Sequence, residues 1–273
     1  MPNSVITTLQ LLMMLAIPLL VFAWIIHQIE RLTQRRLAER FGWRSIMWTG
    51  WLGTPVHELS HAAMCLAFRH RIDEMALFEP DEEAGRLGYV RHSFRHGNTF
   101  EELGNLFIGI APLIGGSLAL SGLLWMFYPD AAWQALKQAT VATNPEIIHA
   151  NPLDRLVAMT TGLCRSVFSP EHFGSGRFWG FLYLVLCVGS HMAPSRSDYA
   201  GAKRGLMIFV VVVALATLMM AFLLQGNPEL AAWLAAAISA LLSLLILTVI
   251  LCALASAAVH ALTYLFPVRY EHI

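Results

Sequence analysis

The 273-residue chain balances 18 Lys and Arg against 18 Asp and Glu, so no global field favours nucleic acid or an acidic partner. It is 57 % hydrophobic and 13 % charged, far below the ~25 % charged residues of ordinary soluble domains, which predicts a polytopic membrane protein. Its four cysteines, Cys65, Cys164, Cys187 and Cys252, lack Cys-x-x-Cys spacing and three lie inside apolar runs, so neither a thiolate zinc site nor a disulfide framework is expected.

The first apolar run, Val5 to His27, is long enough to span a bilayer and lacks the basic start and small-residue cleavage site of a removable signal. Arg31, Arg35, Arg36, Arg40 and Arg44 follow, with Leu32, Leu37 and Phe41 between them. This pattern fits an amphipathic helix at headgroup level or a solvated basic linker. A second span is expected from about Ser45 to Phe68. Within it, Thr54-Pro55 could start a helix or kink a continuous one.

That span contains His57-Glu58-Leu59-Ser60-His61. Residues four apart share a helix face, so the two imidazoles can grip one metal. Glu58 beside them can take a proton from a water whose pKa zinc has lowered toward ~7, leaving a hydroxide to attack a carbonyl. Roughly 0.02 chance occurrences of the pattern are expected in such a composition. The competing explanation, packing histidines with a solvated glutamate, would strand polar groups in an apolar segment at a cost of several kcal/mol.

Residues 69–103 are polar. Met75–Phe78 and Leu87–Ser93 read either as short strands of a β-hairpin around the turn-favouring Glu79-Pro80-Asp81-Glu82-Glu83-Ala84-Gly85 or as parts of an irregular polar loop. An exposed strand edge there could hold a substrate backbone extended over the metal. A third span, Leu103 to Phe127, carries Ala111-Pro112 and Gly115-Gly116, which permit a bend and close helix approach. The connection 129–177 suggests an amphipathic helix from Leu153 to Phe168, and its His149 and His172 are expected loop histidines. A fourth span runs from about Phe178 to Met192. Two more are expected at Leu206–Leu224 and Leu230–Phe266, the last far longer than the roughly 20 residues a crossing requires, so it tilts, protrudes or breaks.

The expected fold is therefore all-α and polytopic, about six transmembrane helices with a β-hairpin after the motif helix. It forms one domain: an N-terminal anchor and basic segment over 1–45, a catalytic core over 46–205 and C-terminal helices over 206–273. A catalytic zinc normally takes three protein ligands, so a third donor must come from elsewhere. Asp198, after the fourth span, would lie on the same membrane side as the C-terminal end of the motif helix. The alternative for Asp198 is a solvated loop residue capping the next helix. His191 is the substitute ligand.

Taken together, His57-Glu58-Leu59-Ser60-His61, the hairpin, Ala111-Pro112-Leu113, and Pro194 followed by Asp198-Tyr199-Ala200-Gly201 resemble the site-2 protease family of intramembrane zinc metallopeptidases. The resemblance covers about residues 50–205 and is divergent. Gly115 stands where the family carries an asparagine, and Tyr199 where it carries a glycine. It implies zinc on His57, His61 and Asp198, Glu58 activating water, and cleavage of peptide bonds in or near the membrane. His191 or Arg196 could supply the missing donor to substrate or oxyanion. Expected partners are a membrane protein or peptide substrate and the bilayer, without nucleic acid and with oligomerisation open. The expected location is multi-pass, in a bacterial cytoplasmic membrane. Two other readings compete: a catalytically silent zinc-binding regulator or scaffold, and a small-solute transporter with a mid-membrane metal site.

Overall fold

The computed structural model describes residues 2–141, 152–195, 198, 219 and 228–265. Helix α1 (Pro2–Phe41) leads through a 3-10 turn (Trp43–Ile46) into α2 (Met47–Ala67). Strands β1 (Arg71–Ala76) and β2 (Tyr89–Ser93) follow, then α3 (Thr99–Phe127), α4 (Pro129–Val141), α5 (Pro152–Val167), α6 (Gly176–Gly189) and α7 (Pro228–Leu265). The described residues are mostly helical, with one two-stranded antiparallel sheet among them. Among the described residues, α3 is long and apolar enough to cross a membrane, and α6 is a shorter apolar helix.

Several boundaries differ from expectation. The basic segment after His27 continues α1 unbroken to Phe41. Side chains one turn apart support it: Gln34 Nε2 donates to Glu30 Oε1 at 3.0 Å, and Arg35 pairs with Glu39 at 3.0 Å. Pro55 lies inside α2 rather than at its start. Part of the connection after Phe127 is the unanticipated α4, whereas α5 matches the amphipathic helix expected there. The final apolar run is one helix, α7, without a break. The expected fifth span, Leu206–Leu224, lies outside the described residues except for Met219, and His149 lies outside them as well.

The hairpin forms, with β1 starting earlier than expected. Glu74 sets the register, because it pairs across the sheet with Arg91 at 2.8 Å and accepts from the Tyr89 hydroxyl at 2.8 Å. These charged, exposed positions carry no alternating apolar signal, so the start of β1 was hidden. The turn is held by paired backbone bonds between Asp81 and Arg86 and by Asp81 Oδ1 accepting the Ala84 N–H at 3.0 Å.

Helix α3 begins at a capping knot. The Asn98 side chain accepts from the Phe100 N–H at 3.1 Å, and the buried Glu101 carboxylate accepts from the Arg95 backbone N–H at 2.6 Å, Arg95 Nε at 2.9 Å and Asn98 Nδ2 at 2.9 Å. A carboxylate in the first turn also complements the helix dipole. Replacing Glu101 by alanine leaves several donors without acceptors. We expect a thermal unfolding midpoint lower by a few degrees, with faster hydrogen exchange over residues 89–98. A wild-type midpoint would mean that the knot is dispensable.

Helix α2 packs against α3 and α6, while α1 packs along α7, and α4 and α5 reach α7 as well. The apolar core joins these layers through Ile26, Leu124, Phe178, Phe181, Val185 and Leu251. The polar pocket lies where α2, α3 and the end of α6 meet under the hairpin.

Candidate metal centre

On α2, His57 and His61 stand one turn apart with ring centroids 4.8 Å from each other. Each ring is aimed by a backbone carbonyl. His57 Nδ1 lies 2.6 Å from the His191 carbonyl oxygen, and His61 Nδ1 lies 2.8 Å from that of Ile108. A carbonyl only accepts, so both Nδ1 atoms carry hydrogen and both Nε2 atoms present lone pairs.

The Ile108 carbonyl is available for a chemical reason. In a regular helix it would accept the N–H of residue 112, but Pro112 has none. The proline in α3 thereby frees an acceptor that fixes the His61 tautomer.

The two Nε2 atoms lie 3.1 Å apart, and Asp198 places its carboxylate oxygens 3.7 Å from His57 Nε2 and 3.4 Å from His61 Nε2. Three electron-pair donors thus converge with no hydrogen of their own to share. A single proton could bridge only two of them, whereas one metal cation satisfies all three. Ligands about 2.0–2.1 Å from a tetrahedral zinc would be separated by about 3.3 Å, and the observed separations bracket that value. The residues fit a metal, and the three form a possible metal-binding triad. The second-sphere carbonyls are what metal-bound histidines ordinarily have.

Glu58 is 7 % exposed and lines the same cavity, which has a volume of about 790 Å3. The chain entering β2 passes directly over it: a Cβ built on Gly88 would lie 3.0 Å from Glu58 Cγ and 2.9 Å from Thr54 Cγ2. Only glycine fits this approach. Residues 87–92 then run along the cavity wall.

His191 takes part through its backbone. Its ring Nδ1 faces two acceptors, the Cys187 carbonyl at 3.2 Å and Ser190 Oγ at 3.1 Å, whose own hydrogen goes to the Leu186 carbonyl. Its Nε2 is buried without a hydrogen-bond partner among the described residues, and the ring is not part of the triad. Arg196 lies outside the described residues.

Opposite the triad stands a second histidine pair that the sequence reading passed over. His70 Nε2 donates to the Glu101 carbonyl at 2.7 Å, and its Nδ1 lies 3.0 Å from His92 Nδ1, so His92 is the donor in that contact. Burial, together with the His70 and His61 rings, holds the His92 imidazole below its usual range. His92 lines the cavity wall. Its only sequence signal is a polar residue at an inward position of β2. Neither a family model nor any curated protein or solved structure matches this chain.

Proposed function

We propose that the protein is a multi-pass membrane zinc metalloprotease of the site-2 protease kind, cutting peptide bonds of membrane or membrane-associated proteins. The observation that carries this reading is the convergence of His57, His61 and Asp198 beside Glu58 in one cavity. The membrane setting is supported by apolar side chains on outward faces of several helices, such as Trp51 and Leu66 on α2, Leu118 and Trp125 on α3, and Trp179 on α6. Six helices in a bacterial cytoplasmic membrane would accommodate such a surface.

A zinc ion bound here would act as a Lewis acid, acidifying a water and polarising the scissile carbonyl. His57 and His61, with tautomers fixed by carbonyls, and the Asp198 carboxylate would hold the cation. Glu58 takes a proton from a water and returns it to the departing amine nitrogen, so the proton balance closes within the site. β2 uses one edge to pair with β1, and its other edge can pair with an extended substrate backbone along the cavity.

The test is purification of the full chain in detergent, metal analysis, and incubation with candidate single-span membrane substrates. We expect one zinc per chain and a time-dependent shorter product that a chelator abolishes and added zinc restores. Stoichiometric zinc with no product from any substrate would favour a silent zinc-binding scaffold. Absence of bound zinc would remove both readings.

A further inference from the structure

The metal pocket leans on a stretch without regular structure. Residues 190–193, between α6 and the approach to Asp198, are all buried, and the His191 carbonyl among them carries the hydrogen bond that orients His57. Two side chains of α1 grip this turn. Gln34 Nε2 donates to the Ser190 carbonyl at 2.8 Å, and Glu30 Oε2 accepts the Ala193 N–H at 2.9 Å. Gln34 Nε2 gives its other hydrogen to Glu30 Oε1 at 3.0 Å.

Both hydrogens of the Gln34 amide are used, each oxygen of Glu30 accepts one hydrogen bond, and the two ends of the turn are tied to adjacent positions on one helix face. Both residues also line the cavity that holds the triad. We propose that Glu30 and Gln34 are positioning residues of the metal centre: they fix the 190–193 turn so that the His191 carbonyl holds His57 in its Nδ1–H tautomer and the chain arrives at Asp198 within reach of both rings. This rests on the metal reading above. Neither residue hydrogen-bonds to the triad, but the Glu30 carboxyl lies close enough to His57 for their charges to interact, so the uncharged Gln34, through Gln34→Leu, isolates the action through the turn. Their influence is that of an outer-shell partner, whose removal ordinarily weakens metal binding by about 10- to 100-fold.

Leucine at position 30 keeps the volume but leaves the Ala193 N–H without an acceptor and one Gln34 hydrogen without a partner. Glutamine can keep the Ala193 contact, yet it turns its own amide hydrogens toward those of Gln34. The graded pair therefore separates hydrogen bonding from filling of space.

The experiment compares the full-length wild type with Glu30→Leu and Glu30→Gln in detergent. Zinc affinity is measured by chelator competition, and the His57 tautomer by histidine nitrogen-15 shifts in the zinc-free protein. We expect Glu30→Leu to bind zinc about 10- to 100-fold more weakly and to lose the dominant Nδ1–H tautomer of His57, with Glu30→Gln in between. Wild-type affinity and tautomer in Glu30→Leu would overturn the proposal. A wild type that binds no zinc, but whose His57 tautomer still responds to position 30, would remove the metal reading and leave the positioning of His57 standing. Should Glu30→Leu fail to fold, Glu30→Gln and Gln34→Leu carry the same comparison: weakened zinc binding supports the proposal, and wild-type values in both overturn it.

Discussion

Glu58→Gln is expected to keep its zinc and to lose cleavage, with turnover falling by about 10^2- to 10^4-fold, the range ordinarily supplied by a general base. Glutamine has nearly the same shape, and Glu58 is not one of the converging ligands, so the exchange leaves the His57–His61–Asp198 set as it is. Packing should survive too, because the close contact is made by the Glu58 Cγ beneath Gly88, and that carbon is retained. What disappears is the ability to take up a proton next to the cation. The measurement pairs zinc content with the initial rate of product formation from a membrane substrate. Unchanged zinc with a lost rate supports the assignment. An undiminished rate would show that another group, with His92 on the facing wall the first to examine, accepts the proton.

The parts of the site legible in the sequence were those written as local spacing. His57 and His61 share a face because a helix repeats at 3.6 residues, and Glu58 beside them follows from the same geometry. Asp198 is picked out by its place after the fourth span in a stretch expected to be irregular. The structure makes it helical, its Oδ2 accepting the Ser195 N–H while its own N–H donates to Ser195 Oγ, so the alternative capping role coexists with its place in the triad. What the sequence hid was long-range hydrogen bonding. Pro112 reads as a bend, yet its consequence is a free Ile108 carbonyl, visible only when α3 lies beside α2. Glu30 and Gln34 read as the polar end of an anchor helix, since nothing in α1 announces that a turn 156 to 163 positions further along folds onto them. Gly115, where the resembling family carries a side chain, has its own account: a Cβ there would run into Ser60, which is held to the Val56 carbonyl at 2.5 Å. The close α2–α3 approach leaves no room for an asparagine at that position.

Asp198→Ala is expected to weaken zinc binding by about 100-fold and to abolish turnover. Structural zinc sites with four ligands gain roughly 10–16 kcal/mol on binding, about 3 kcal/mol per ligand, and 1.4 kcal/mol corresponds to tenfold. Losing an anionic ligand also removes the charge that balances the cation in a buried setting, so this is a lower bound for the effect. The informative control is His191→Ala. The His191 ring lies outside the triad, whereas its carbonyl, which orients His57, belongs to the backbone and survives the substitution. Zinc affinity in His191→Ala should therefore stay within a few-fold of wild type while that of Asp198→Ala collapses. The reverse order would mean that the imidazole of residue 191, and not the carboxylate, completes the metal's coordination. Equal, small losses in both would mean that the cation is held by His57 and His61 with a donor other than either of these side chains.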